Sequence, residues 1–333
     1  MHTSTSNLPL IRLSSVNPFL VELARRNVDG SAILKAKGLP GNVPASSDLF
    51  ASSLTIYEIV EQSAAVADDP YLGYAIGRHL NSDDWEPVAK AVRDADTVGD
   101  LLRNFIVNAL DHSSSTEFFM RTEGERTTFG FRREAVPPFK PAQNDAFYLG
   151  FFTKLLRSAT GPYWDPSKVL GKVSAPAAIP KTDEMSRLAE TDNVGMRISF
   201  PTEWQFSKIH KVAGNRPGQS VAGQQLPGSL VESVRAALRP HVHEQDLDVA
   251  KAASICGYEK RRLGRLLRKH GTTIIKEISA VREETARDKL LNSATPVAEI
   301  GESVGFNDPT IFSRAFKNWT GQSPQAFRRT HRT

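Results

Sequence analysis

Six cations, Lys260, Arg261, Arg262, Arg265, Arg268 and Lys269, crowd the stretch between Glu259 and His270. Further along, Asn307, Thr310, Ser313, Arg314 and Lys317 recur every three or four residues. Guanidinium and ammonium groups pair with phosphate oxygens, and an arginine can also bond the two acceptors on a guanine edge. Hydroxyl and amide side chains at helical spacing add hydrogen bonds to phosphates and base edges. Such a set suits a polyanion with a patterned edge. Catalytic chemistry finds no support, because the chain has no Gly-rich phosphate loop, no zinc-ligand spacing and no nucleophile elbow. The reading is a non-enzyme with no cofactor and no metal.

Both sets need a helix to present them and a partner helix to hold that helix. In the second, Val297, Ile300 and Val304 line a short helix and Gly305 supplies a turn. Ile311, Phe312 and Phe316 are then expected to pack a second helix across the first. In the first, Val249, Ala252 and Ile255 face Leu263, Leu266 and Leu267 across a turn at Cys256-Gly257-Tyr258. Gly264 removes one side chain from the reading face, so this motif is expected to lean on phosphates, with Arg261 and Arg265 as base readers. Ile275, Ile278, Arg282, Ala286 and Leu290 trace a connecting helix of roughly 27 Å. A rod of that length can set two recognition helices into successive major grooves, about 34 Å apart. The expected partner is double-stranded DNA.

Charge agrees with this placement. Residues 1–240 hold 26 basic and 26 acidic side chains, whereas residues 241–333 hold 16 and 11, so the whole excess of +5 lies at the carboxy-terminal end. That asymmetry is the footprint of a nucleic-acid-binding domain joined to a neutral one. The length of 333 residues also suggests two domains. One cysteine, Cys256, excludes an internal disulfide framework and reads as a small buried hydrophobe. His241-Val242-His243 lacks the company a metal site needs. No signal peptide and no apolar run long enough for a membrane span is evident, so a cytoplasmic, nucleoid-associated protein is expected.

The stretch from about Ser229 to Arg329 resembles the AraC/XylS family of bacterial transcription regulators. Arg282, Ala286, Leu290-Leu291, Ile300, Gly305-Phe306, the run Phe312-Ser313-Arg314-Ala315-Phe316-Lys317, Trp319, Gly321 and Ser323-Pro324 carry the match. The resemblance implies base contacts from Arg261 and Arg265 in the first motif and from Thr310 and Arg314 in the second. Three departures stand out: Glu259 where a Ser cap is usual, Gly264 where Gln is frequent, and Gly301-Glu302-Ser303 where the helix is usually more apolar.

The amino-terminal half reads as α+β. Helices are expected from Asn17, over Leu49–Ala67, Tyr71–Leu80 and from Thr97, where Thr97 and Asp100 form a capping box. A hairpin follows over Thr116–Arg121 and Thr127–Arg132, then a helix over Asp145–Ala159 and strands over Lys168–Val173 and Met196–Phe200. The runs Asp69-Pro70-Tyr71-Leu72-Gly73-Tyr74-Ala75-Ile76-Gly77 and Asp96-Thr97-Val98-Gly99-Asp100-Leu101-Leu102 resemble two signatures of the arabinose-binding-like domain of one AraC subgroup. That domain implies an effector-binding and association module, although Trp85-Glu86-Pro87-Val88 replaces a more Gly-rich segment. Arg121, Arg132 and Arg133 are candidates to receive an anionic effector, or are ordinary strand-edge arginines. Phe147 and Phe151 are candidates to line its cavity, or are core.

The expected organisation is an α+β effector and association domain over 17–211, a linker over 212–228, and an all-α domain over 229–333. Two helix-turn-helix motifs joined by a linker helix make up the last. The function implied is sequence-specific transcription regulation gated by a small effector, with RNA polymerase and a second copy of the chain as further candidate partners. The alternative is control through protein association of the amino-terminal domain, without a ligand.

Overall fold

The computed structural model describes residues 8–44, 47–81, 85–181, 185, 187–209 and 226–331. Most of the linker expected over 212–228 lies outside them. The amino-terminal elements run β1 (Leu10–Arg12), α1 (Asn17–Arg25), α2 (Ser31–Ala36), β2 (Phe50–Ser52), α3 (Ser53–Val66), α4 (Leu72–His79), α5 (Glu86–Arg93) and α6 (Val98–Ala109). They continue with β3 (Thr116–Glu123), β4 (Arg126–Arg133), α7 (Ala142–Thr160), β5 (Leu170–Val173), β6 (Arg187–Glu190) and β7 (Arg197–Pro201). Helices and sheets are mixed here, as the residue periodicity implied.

The sheet has the order β3-β4-β7-β5-β6, antiparallel except for β5 and β6. Its hairpin pairs Phe118 with Phe131 and Met120 with Phe129, and each strand is two residues longer than the alternation suggested. The Thr97–Asp100 capping box opens α6 as expected. Phe50–Ser52 forms a strand instead of the first turn of α3, because it pairs with β1, a long-range partner no local pattern displays. Helix α4 packs on α7 at close range. A Cβ on Gly73 or Gly77 would overlap the carbonyls of Gln143 and Phe147, which explains glycine at both places in that signature.

The carboxy-terminal region is helical: α8 (Leu230–Leu238), α9 (Val249–Ile255), α10 (Lys260–Lys269), α11 (Ile274–Asn292), α12 (Val297–Ser303), α13 (Pro309–Thr320) and α14 (Pro324–His331). One buried cluster runs through all seven, from Leu230 and Val234 to Phe312, Phe316 and Phe327. Leu8, Leu10 and Phe50 belong to the same cluster, so the short β1–β2 ribbon of the amino-terminal region packs into the helical core. Alternation along a strand sends Ile11 the other way, into the amino-terminal core.

Candidate functional site

Two features of the molecule have the makings of a site: the outer faces of α10 and α13, and a cavity in the amino-terminal region.

Asp248 caps α9, its carboxylate accepting the backbone N–H groups of Ala250 and Lys251 at 2.8 Å each. Helix α10 begins at Lys260 without a side-chain cap from Glu259, so the substitution of the usual Ser there leaves the first turn open to an outside acceptor. Leu263 and Leu267 are buried, which turns Lys260, Arg261, Arg262, Arg265, Arg268 and Lys269 to solvent. Arg262 lies over the Tyr258 ring at 4.9 Å. Among the described residues after 229, carboxylates pair instead with Arg235, Arg239, Lys251 and Arg287. The basic face of α10 is thus exposed to solvent. Cys256 in the turn is buried, and burial pushes its thiol up to about 12, too high for a reactive thiolate.

Helix α11, 19 residues and about 28 Å long, joins the two motifs. Its inward stripe starts at Ile274 and continues through Ile278, Val281, Ala286 and Leu290, while Ile275 is 64% exposed. Arg282 donates to the Glu244 carbonyl at 3.0 Å and lies over Phe306 at 5.3 Å, tying the connector to the second motif. The turn there holds Gly305 at φ +83°, with the Val242 and Glu244 carbonyls too close for any side chain. Gly301 abuts the Phe312 ring, so the glycine that departs from the family pattern makes room for an aromatic.

Asp308 caps α13, accepting from Thr310 N–H at 2.6 Å and Ile311 N–H at 3.3 Å. These backbone donors hold its carboxyl below the usual range. Phe312 and Phe316 are fully buried, and Asn307, Thr310, Arg314 and Lys317 are exposed, with Ser313 half-buried. One expectation fails: Ile311 does not pack inward but stands 56% exposed. The inward stripe is Phe312, Phe316 and Trp319, at i, i+4 and i+7, and Ile311 lies about 100° away from it.

The cavity, of about 50 Å³, lies between β1, α1, α3, α6, β3 and α7. Apolar walls come from Ile11, Phe19, Trp85, Phe105, Phe118 and Phe147, and polar groups from Ser15, Tyr57, His112, Ser113, Thr116, Asn144 and Tyr148. Among the described residues no carboxylate, lysine or arginine lines it. Burial, reinforced by Arg12, pushes the His112 imidazole down to about 4, so it is neutral near pH 7. Trp85, in the wall, makes ring contacts with Phe105, Phe147, Tyr148 and Phe151 at 5.3–5.7 Å.

Of the five side chains singled out for an effector, Phe147 alone lines this cavity. Phe151 packs behind it, at 5.3 Å from Phe152. Arg121 is exposed and paired with Glu123, and Arg132 lies over Phe119 at the surface. Arg133 is buried against Asp145, with further donation to the Asn193 carbonyl at 3.0 Å. Tyr57, His112 and Asn144 were missed by sequence reasoning. They come from distant elements and share no motif. Among the described residues no metal-binding cluster occurs and no helix is long and apolar enough to cross a membrane.

Comparison with known proteins bears on both features. Residues 252–330 match the helix-turn-helix domain model, and residues 28–185 match the arabinose-binding domain of AraC transcription regulators. Transcriptional activator NphR of Rhodococcus is 32% identical over 98 residues, 29% of each chain. The arabinose operon regulatory protein of Escherichia coli is 34% identical over 89 residues, 26% of this chain and 30% of that one. The match therefore spans less than a third of these two relatives. The HTH-type transcriptional regulator VqsM of Pseudomonas aeruginosa is 24% identical over 273 residues, covering 77% of this chain and 83% of the relative. The crystal structure of the transcriptional regulator CdpR from Pseudomonas aeruginosa aligns over 95% of this chain and 98% of its own, at 16% identity and a TM-score of 0.39. With the two domain models matched in order along it, this chain belongs to the AraC family of DNA-binding transcription regulators and carries an arabinose-binding-like domain ahead of its helix-turn-helix domain.

Proposed function

We propose that this regulator is gated by a small, uncharged, partly apolar effector held in the cavity beside Trp85 and Tyr148. The observation that carries the reading is the composition of the wall: hydroxyl, amide and neutral imidazole groups set among aromatic rings, with no charged side chain among the described residues that line it. Such a mixture is what ligand pockets use for orientation and burial. At about 50 Å³ the space holds one or two waters, so a ligand enters by displacing Trp85. Strand β1 supports a link to DNA binding, since Ile11 lines the cavity while Leu10 is packed in the helical core. We take 17–211 as the sensing and association unit and 229–333 as the DNA-binding unit, acting in the cytoplasm at a promoter.

The test is a thermal-shift panel on the full chain, with phenols, indoles and neutral sugars in one arm and carboxylates and phosphates in the other. A ligand at 100 times its Kd adds about 2.7 kcal/mol and raises Tm by several degrees. Stabilisation is expected from the uncharged arm and is expected to vanish in Asn144→Leu. Stabilisation by anions alone would refute the reading.

A second reading, control by association without a ligand, is favoured by Val107 and Leu110. Val107 is on α6 and Leu110 caps its end; they are 64% and 60% exposed. Sedimentation of the full chain and of a Val107→Asp variant decides it: a dimer lost on substitution, with a flat ligand panel, replaces the effector reading.

For the DNA interface we propose base reading by Arg261, Arg265, Thr310 and Arg314, and phosphate contact by Lys260, Arg262, Arg268, Asn307, Ser313 and Lys317. Arg314→Ala is expected to cost about 1–3 kcal/mol on the specific site and to relax discrimination, measured by fluorescence anisotropy. Lys260→Ala should instead weaken binding to all sequences and flatten the salt dependence by about one unit of slope.

A further inference from the structure

We propose that Ile311 is a specificity-determining residue that reads the C5-methyl group of a thymine in the major groove. The proposal rests on the reading of α13 as the groove helix of the second motif and goes one step beyond it.

Ile311 has no role in the core. Phe312, its neighbour, is fully buried and fixes the rotation of the helix, and Phe316 repeats that constraint one turn later. The rotation carries Ile311 to the side of the outer face, next to Arg314 (i+3) and Asn318 (i+7) and after Thr310. Asp308 pins the first turn through its bonds to the Thr310 and Ile311 backbones, so the position of the side chain is set before any partner arrives. A β-branched side chain in a helix keeps essentially one rotamer, which makes Ile311 a stiff apolar knob.

Single exposed apolar residues are ordinary on protein surfaces. Location separates this one from the others. Among the described residues after 229, Ile275 and Ile311 are the large apolar side chains that stand exposed, and Ile311 alone occupies the first turn of a recognition helix. Residues there are the ones that meet base edges when such a helix enters the groove. The major groove offers one apolar group, the thymine methyl, and aliphatic contact with it is an established mode of readout. Arg314 beside it takes hydrogen-bond acceptors, so the two side chains together specify a mixed step, a methyl next to an acceptor pair. The corresponding face of α10 carries cations and Gly264, with no apolar reader.

The experiment uses the full chain. Selection from a random duplex library yields the bound sequence, and deoxyuridine then replaces each thymidine singly, removing only the methyl. In the parent protein one substitution should weaken binding about fourfold, the effect of one buried methyl group. In Ile311→Ala that position should become insensitive, while Ile311→Val keeps most of the effect. Placing 5-methylcytosine at the same position should restore part of the affinity of the parent and none in the Ala variant. Unchanged penalties in the Ala variant for substitutions at the other positions of the selected site show that α13 remains folded and seated. Equal deoxyuridine penalties in parent and Ala variant overturn the proposal. A selection that enriches no sequence overturns sequence-specific reading itself, and this proposal with it.

Discussion

Asp145→Ala is expected to lower the stability of the amino-terminal region by about 3–5 kcal/mol, because it strands a buried guanidinium. The Arg133 and Asp145 side chains both have no solvent exposure. The second carboxylate oxygen of Asp145 accepts the Ser174 N–H at 2.9 Å, so the pair also anchors the loop after β5 to the start of α7. Around it, Arg133 lies over the rings of Tyr57 and Phe131 at 5.0 and 4.9 Å. Burial opposes the charge on Arg133, but Asp145 and Tyr57 more than offset it and hold the group firmly protonated. Urea unfolding followed by tryptophan fluorescence measures the loss. The double variant Arg133→Met with Asp145→Leu should recover much of it, since an apolar pair of similar volume escapes the desolvation cost. A loss below about 1 kcal/mol for Asp145→Ala would show that water reaches the pair. Tyr57 lines the cavity, so the same variant is expected to weaken effector binding as well.

Phe312→Ala should be of similar size, about 3–5 kcal/mol, and should act on the other end of the molecule. The ring is fully buried, contacts Phe306 at 5.6 Å and Phe316 at 5.9 Å, and sits in the space left by Gly301. Removing it is expected to open a void between α12 and α13. Hydrogen exchange should accelerate across 297–331, and specific DNA binding should fail while the exposed basic face of α10 still gives salt-sensitive, sequence-blind binding. Phe312→Leu, which keeps most of the volume, should restore much of both. Unchanged sequence-specific affinity in Phe312→Ala would mean that α13 does not depend on its core contact for its position.

The tandem motifs were legible because the forces that make them are local. Apolar residues three and four apart place Ile300 and Val304, or Leu263 and Leu267, on one face whatever else the chain does, and Gly305 is required by the backbone of its own turn. The capping box at Thr97 and the hairpin at Gly124 belong to the same class. The misplacement of Ile311 had a physical source. Ile311 and Phe312 are adjacent and both apolar, and periodicity alone cannot say which of two neighbours faces in when the helix rotation is set by packing.

Charge was read correctly as a total and incompletely as a set of sites. Arginine at a strand end looks the same whether it is exposed, as Arg121 and Arg132 are, or buried, as Arg133 is. The difference comes from Asp145, twelve residues on, and from Asn193, sixty residues on. The cavity is less legible still, since Tyr57, His112 and Asn144 are brought together by three elements whose order in sequence says nothing of their distance.

By itself the sequence determined the two helix-turn-helix units, their basic outer faces, the family and the α+β character of the other half, all from spacings shorter than a helix. Tertiary structure alone decided that β1 packs Leu10 into the helical core and Ile11 into the cavity, that Arg133 is buried with Asp145, and that Ile311 faces outward. Each of those depends on which surfaces meet at long range, and burial is a property of the meeting and not of the residue.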